Sequence, residues 1–230
     1  MNQRAPGAPP APRGPRPEGG PAAARRPRMA EPIRQERGRP APVAPPMLRV
    51  LIAGGGTGGH IYPALAVADE IRRRNRESQI LFVGTKSGLE GRLVPEAGFA
   101  IEYLDLSGYV GRGLFARIRA LFQFASGVMK ARKLIDTFQP ELVLGTGGYV
   151  SGPAVVAGRL AHRRTMIQEQ NSVPGQMNRL LAGWVDEVHV AFTETRAFFK
   201  DKSKIRLSGN PVLSRQPRGS VLALFQRYRL

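Results

Sequence analysis

The 230-residue chain holds 35 lysines and arginines against 17 acidic residues, a formal charge of +18, and no cysteine. Disulfides and thiolate metal sites are therefore excluded, and the positive excess points to anionic partners: nucleic acid, phosphorylated substrates or a membrane surface. No apolar run reaches the roughly 18 residues needed to cross a bilayer.

The first 46 residues carry thirteen of the twenty prolines and nine arginines against Glu18, Glu31 and Glu36. Such a tract buries too little apolar surface to offset its chain entropy, so residues 1–46 are expected to form a disordered extension. It has no apolar stretch flanked by a cleavage site, so it is not a signal peptide. It also lacks aromatic residues for base stacking, which leaves weak, salt-sensitive contact with nucleic acid and no specific nucleic-acid partner.

From Met47 the chain repeats a short apolar run, a glycine-bearing turn and a helical period. Strands are expected at 48–53, 80–83, 100–104, 142–145, 164–168 and 187–191. Helices are expected at 62–74, 88–97, 114–138, 152–161 and 174–181. This alternation defines an α/β domain, a Rossmann-like parallel sheet with helices on both faces. Ligands of such sheets bind outside the carboxyl ends of the strands. The loops 54–60, 145–152 and 168–175 all fall there. Beyond Asn210-Pro211 no further βα unit is legible.

The first loop, Gly54-Gly55-Gly56-Thr57-Gly58-Gly59, satisfies G-x-G-x-x-G between a strand and a helix. Bare backbone and a helix N-terminus together suit an anion such as phosphate. The dinucleotide form of the motif needs an acid after the second strand, but Val83-Gly84-Thr85-Lys86 supplies none before Glu90. The P-loop form needs Gly-Lys-Ser/Thr, and the chain has Gly59-His60-Ile61. That leaves His60 at the loop tip, where an imidazole can take a proton from a sugar hydroxyl. The plainer reading is a histidine that caps the loop. His162 and His189 have no partner at ligand spacing, so no metal site is expected. Trp184 reads as packing and Asp69 as solvated.

Four segments, "GGGTGGHIYPALAVA" (54–68), "GTGGYVSGPAVVAG" (145–158), "QEQNSVPGQMNR" (168–179) and "SGNPV" (208–212), resemble the bacterial glycosyltransferases that form lipid II, in glycosyltransferase family 28. The resemblance covers residues 47–213. It implies a GT-B fold, two Rossmann-like domains around a cleft, with this stretch as the N-terminal acceptor-binding half. The implied reaction of cell-wall peptidoglycan synthesis moves N-acetylglucosamine from UDP-N-acetylglucosamine to lipid I by an inverting displacement. UDP-N-acetylglucosamine is then a substrate, and no cofactor or metal is implied. Carried over by motif, Thr57, Gly58 and Gly59 would touch the donor sugar or acceptor diphosphate, and Asn171 the donor sugar. His60 would be the candidate base, and Glu169 would orient the acceptor. Gly147, Gly148 and Tyr149 would form a second loop for the lipid-linked diphosphate, with Tyr109 closing over the acceptor.

The family arginine after "GNPV" is Leu213 here, and the seventeen residues beyond it resemble nothing in the family. Residues 214–230 are thus expected to be an atypical tail, truncated or frameshifted, with the donor domain absent or supplied as a separate chain. Leu114, Phe115, Ile118 and Phe122, with Arg117 and Arg119, combine apolar contact with basic attraction. That combination suits an anionic membrane surface, which the resemblance implies is the cytoplasmic face of the bacterial inner membrane; a core helix with a solvated basic face is the competing reading. Two other functions compete: an acceptor-binding subunit inert alone, and a Rossmann oxidoreductase, disfavoured by the missing ribose acid.

Overall fold

The computed structural model describes residues 47–106 and 114–213, without the side chains of Leu114 and Arg117. The expectations for residues 1–46, Tyr109 and residues 214–230 lie outside the described residues. Seven strands form one parallel sheet: β1 (Arg49–Gly54), β2 (Gln79–Gly84), β3 (Ala100–Tyr103), β4 (Leu142–Gly147), β5 (Arg164–Glu169), β6 (Glu187–Val190) and β7 (Ile205–Leu207). Their order is β3-β2-β1-β4-β5-β6-β7. The helices are α1 (Gly58–Arg74), α2 (Glu90–Glu96), α3 (Leu114–Phe138), α4 (Ser151–Leu160) and α5 (Gln176–Leu181).

Strand side chains alternate between faces, and β1 shows the consequence. Val50 and Ile52 join Phe82, Ile61, Leu65 and Phe99 in one apolar layer. Leu51 and Ala53 join Val143, Ala131, Ile135 and Val155 in the other. Both faces of the central strands are covered, which is why they read as unbroken apolar runs.

The structure adds β7 and a 3₁₀ turn at Thr193–Phe198, neither of them expected from sequence. β7 has three residues of which only Ile205 is buried, too little for an apolar signal. The structure also moves the start of α1. Thr57 is extended (φ −128°, ψ 158°) and caps the helix, so Gly58, Gly59 and His60 form its first turn. His60 is therefore a helical residue, not a loop tip. Glycine disfavours helix interiors, but amides of a first turn have no intrahelical partner, and a glycine there leaves them accessible.

The β1–β4 register pairs Ala53 with Gly145 but Gly54 with Gly147, so Thr146 is an extra residue. This bulge lies where the strand order reverses, the point at which open α/β sheets leave a crevice for ligands.

Candidate functional site

The first glycine loop is filled from beneath by the chain itself. Glu90, at the start of α2, is 1% exposed. Its Oε2 accepts the Gly56 N–H at 2.9 Å, and its Oε1 accepts the Thr85 N–H at 2.9 Å and the Thr85 hydroxyl at 2.8 Å. A side chain on Gly55 would land on this carboxylate. The inner half of the loop is thus committed to an internal anion. The part of the loop left open is its outer half, the Gly58–Gly59 turn that lines a cleft. Glu90 also fails as a ribose ligand, because it points inward.

His60 lies on the second glycine loop. Gly147 and Gly148 have φ of +108° and +77°, a conformation open to glycine. A Cβ on Gly147 would stand 2.5 Å from His60 Nδ1 and 2.7 Å from Cε1, and one on Gly148 would strike the Gly55 carbonyl. The imidazole therefore packs on bare backbone, half-buried, and its Nδ1 is buried without a hydrogen-bond partner among the described residues. Packing rather than a carboxylate orients this ring. Half-buried Tyr149 lies beside Gly56.

Glu169 requires a correction. It is 0% exposed, and its Oε1 accepts the Asn171 N–H at 2.9 Å and the Asn171 Nδ2 at 3.0 Å. Its Oε2 accepts the Gly175 N–H at 3.0 Å and the Asn178 Nδ2 at 2.9 Å. With four donors and no exposure it holds the β5–α5 loop and does not meet an acceptor. Its effect reaches the surface through Asn171, which is exposed and held by its amide nitrogen. Thr195 fixes the same residue from the other side, donating to the Asn171 carbonyl at 3.0 Å. Buried Gln170 ties this loop to the bulge, donating to the Thr146 carbonyl at 3.0 Å and the Gln168 carbonyl at 3.1 Å.

A cleft of about 600 Å³ opens between Gly58, Gly59, Tyr62 and Pro63 on one side and Gln170, Asn171 and residues 210–213 on the other. Pro63 has no N–H, so the helical bond to the Gly59 carbonyl is missing, and both residues face the cleft. A Cβ on Gly59 would meet only the Thr57 hydroxyl, at 3.8 Å, so packing does not require a glycine there. The structure thus brings Gly58, Gly59 and Asn171 together, with exposed Thr57 next to them in sequence. His60, Gly147, Gly148 and Tyr149 form the seam between the glycine loops. Sequence reasoning missed Tyr62, Gln170 and Asn210. The "SGNPV" match carried a signal for Asn210, whereas Gln170 gave none apart from its motif. A larger groove of about 1000 Å³ runs along Asp69, Arg72, Arg73, Arg74 and Pro211. It lies outside the seam, and its arginines at 72, 73 and 74 are already paired with Asp69 and Glu70. Among the described residues no three His, Cys, Asp or Glu side chains cluster as a metal site.

A separate surface lies on α3. Phe115, Ile118, Phe122 and Met129 are 90%, 44%, 70% and 64% exposed, with exposed Arg119 and Lys133 on the same helical face. Ala131 and Ile135 fill the opposite, core-facing side. The side chains of Leu114 and Arg117 lie outside the described residues. No described helix is long and apolar enough to cross a membrane.

The reversed parallel sheet, with its glycine loops at the reversal, defines a Rossmann-like nucleotide-sugar-type α/β domain whose ligand crevice lies at the switch point. Residues 50–190 match the glycosyltransferase family 28 N-terminal domain, and the chain belongs to that family. It is 46% identical over 165 residues to the UDP-N-acetylglucosamine–N-acetylmuramyl-(pentapeptide) pyrophosphoryl-undecaprenol N-acetylglucosamine transferase of Syntrophus aciditrophicus, covering 72% of this chain and 45% of the relative. The same-named protein of Symbiobacterium thermophilum is 42% identical over 189 residues, 80% of this chain and 50% of that one. Among solved structures, MurG of Acinetobacter baumannii superposes with a TM-score of 0.61 at 28% identity, over 75% of this chain and 47% of that chain. A UDP-N-acetylglucosamine 2-epimerase at 11% identity and TM-score 0.56 shares the fold alone. The chain spans about half the length of the curated relatives it matches.

Proposed function

We propose that this domain is the acceptor half of an enzyme that transfers N-acetylglucosamine from UDP-N-acetylglucosamine to lipid I, giving lipid II for peptidoglycan. The observation that carries the reading is the cleft at the sheet reversal of a family 28 N-terminal domain, walled by the first turn of α1 and by Asn171. The C4 hydroxyl of the muramoyl sugar attacks the donor's anomeric carbon, and UDP leaves. First-turn amides at Gly58 and Gly59 supply fixed donors for developing negative charge. The exposed amide of Asn171 orients the donor sugar. His60 takes the hydroxyl proton through Nε2, since Nδ1 is buried. Gly147, Gly148 and Tyr149 carry the lipid-linked diphosphate, and a second domain, on a longer chain or a separate one, holds the donor nucleotide.

The α3 surface seats the domain on anionic lipid at the cytoplasmic face of the bacterial inner membrane, as a peripheral protein. Apolar side chains next to Arg119 and Lys133 suit that role, with each basic residue near the surface worth about 1 kcal/mol. An oxidoreductase is disfavoured by the inward-facing Glu90.

Binding of a soluble lipid I analogue to the full chain tests the acceptor reading, with saturable binding weakened at least tenfold by Gly147→Ala. No saturable binding would contradict it. Sedimentation with phosphatidylglycerol vesicles tests the membrane reading. Phe115→Ser with Phe122→Ser should lower partitioning at least tenfold, and an unchanged value would refute it.

A further inference from the structure

We propose that Glu90 is a positioning residue. By holding the Gly56 amide, its buried carboxylate sets the first turn of α1, and with it the Gly58–Gly59 wall of the cleft. The proposal rests on the reading of that cleft as the transfer site.

Glu90 opens a seven-residue helix, and a glutamate in a first turn commonly serves its own helix dipole. This one does something else. Its carboxylate leaves α2 and reaches a loop 34 residues earlier, where it accepts the Gly56 N–H at 2.9 Å. The other oxygen anchors to Thr85, through the backbone N–H at 2.9 Å and the hydroxyl at 2.8 Å. The end of β2 and the end of β1 are thereby joined through one side chain.

The surroundings are shaped around that group. A Cβ on Gly55, Gly84 or Gly88 would collide with the Glu90 side chain, so three glycines from two loops leave room for it. A carboxylate at 1% exposure is tolerated only where donors replace water. An apolar residue would fill the space with no such demand. What the acid adds is a fixed point at Gly56, whose φ of +84° turns the chain. The next residue is the Thr57 cap, followed by Gly58 and Gly59. No side chain of Thr57 holds the cap in place, so the tether at Gly56 is the nearest side-chain anchor to that turn.

The amide of Glu90→Gln can accept from Thr85, but it then presents an N–H to the Gly56 N–H. Glu90→Asp keeps the acid and loses one methylene, so it cannot span both anchors. The experiment is hydrogen exchange by mass spectrometry on the full chain, with analogue affinity measured on the same preparations. Both variants should raise exchange in residues 55–61 at least tenfold, leave β4 and β5 within twofold of wild type, and weaken lipid I analogue binding at least tenfold. Thr85→Val, which removes the hydroxyl donor and leaves the Gly56 bond, should raise exchange in that segment less than threefold. If Glu90→Gln does not fold, Glu90→Asp decides. Wild-type protection of residues 55–61 in a folded variant, or faster exchange spread evenly over the sheet, would overturn the proposal. Absence of analogue binding by wild type would instead refute the cleft reading, and the exchange contrast would still judge the tether.

Discussion

At the carboxyl ends of the strands the sheet is finished with buried acids and bare backbone, whereas at the amino ends it is finished with ion pairs in contact with water. Glu90 and Glu169 are 1% and 0% exposed, and every hydrogen bond they accept comes from a loop bordering the cleft or from its support. At the other end Arg159 meets Asp186 at 3.5 Å and Arg164 meets Glu187 at 2.6 Å. Along α1, Glu70 takes Arg73 and Arg74, both at 2.7 Å. Exposed pairs are worth little because water and salt screen them. Buried donors and acceptors are costly to leave unpaired. The difference teaches where substitutions should cost most: at the cleft end buried carboxylates hold donors that have no water to turn to, and at the far end water can replace a lost partner.

Substitutions should sort along that axis. The largest loss is expected for Glu169→Ala, which strips the acceptor from the Asn171, Gly175 and Asn178 donors together. About 3 kcal/mol or more should disappear from urea unfolding, along with order in the 171–175 loop. Gly148→Ala comes next, at about 2 kcal/mol or more, because it combines a φ of +77° with a collision against the Gly55 carbonyl. A value near zero for either would erase the contrast between the ends.

Asp186→Asn should be milder. Burial pushes the Asp186 carboxyl up, but the Thr165 backbone N–H and hydroxyl, with Arg159 and Lys204, hold it below the usual aspartate range. A depressed folded value means the carboxylate stabilises above the unfolded pKa of about 3.9 and loses that effect as pH falls through the folded value. Wild type should therefore exceed the variant by about 0.5–1 kcal/mol at pH 7, after allowance for its solvent contact. The gap should close below about pH 4, as read from denaturant melts across pH. Smallest of all is Glu70→Ala. Hydrogen bonds from Arg73 and then Arg74 bring the Glu70 carboxyl down to about 2, yet the half-exposed side chain stays in contact with water. Thermal unfolding should move by about one degree or less.

Much of the sheet was legible because β1, β2, β4 and β5 are covered on both faces and so read as apolar runs between glycine turns. β7 was not, since one buried residue in three carries no pattern. The start of α1 was hidden for another reason. Gly58 and Gly59 argue against a helix on propensity, and the Thr57 cap makes no side-chain bond that its sequence would announce. The motifs located the cleft because its walls follow strands directly. They could not show that Glu169 faces inward, or that Glu90 reaches back across 34 residues to Gly56. Those contacts depend on the loop path in space, which no local periodicity encodes.

The most direct measurement of the central claim is transfer of labelled N-acetylglucosamine from UDP-N-acetylglucosamine to a lipid I analogue, by the full chain mixed with a separately expressed donor domain of the Syntrophus aciditrophicus relative. The account predicts product only in the mixture, and at least a hundredfold less with His60→Ala. No product from a mixture in which the chain demonstrably binds the analogue, or undiminished product with His60→Ala, would contradict it.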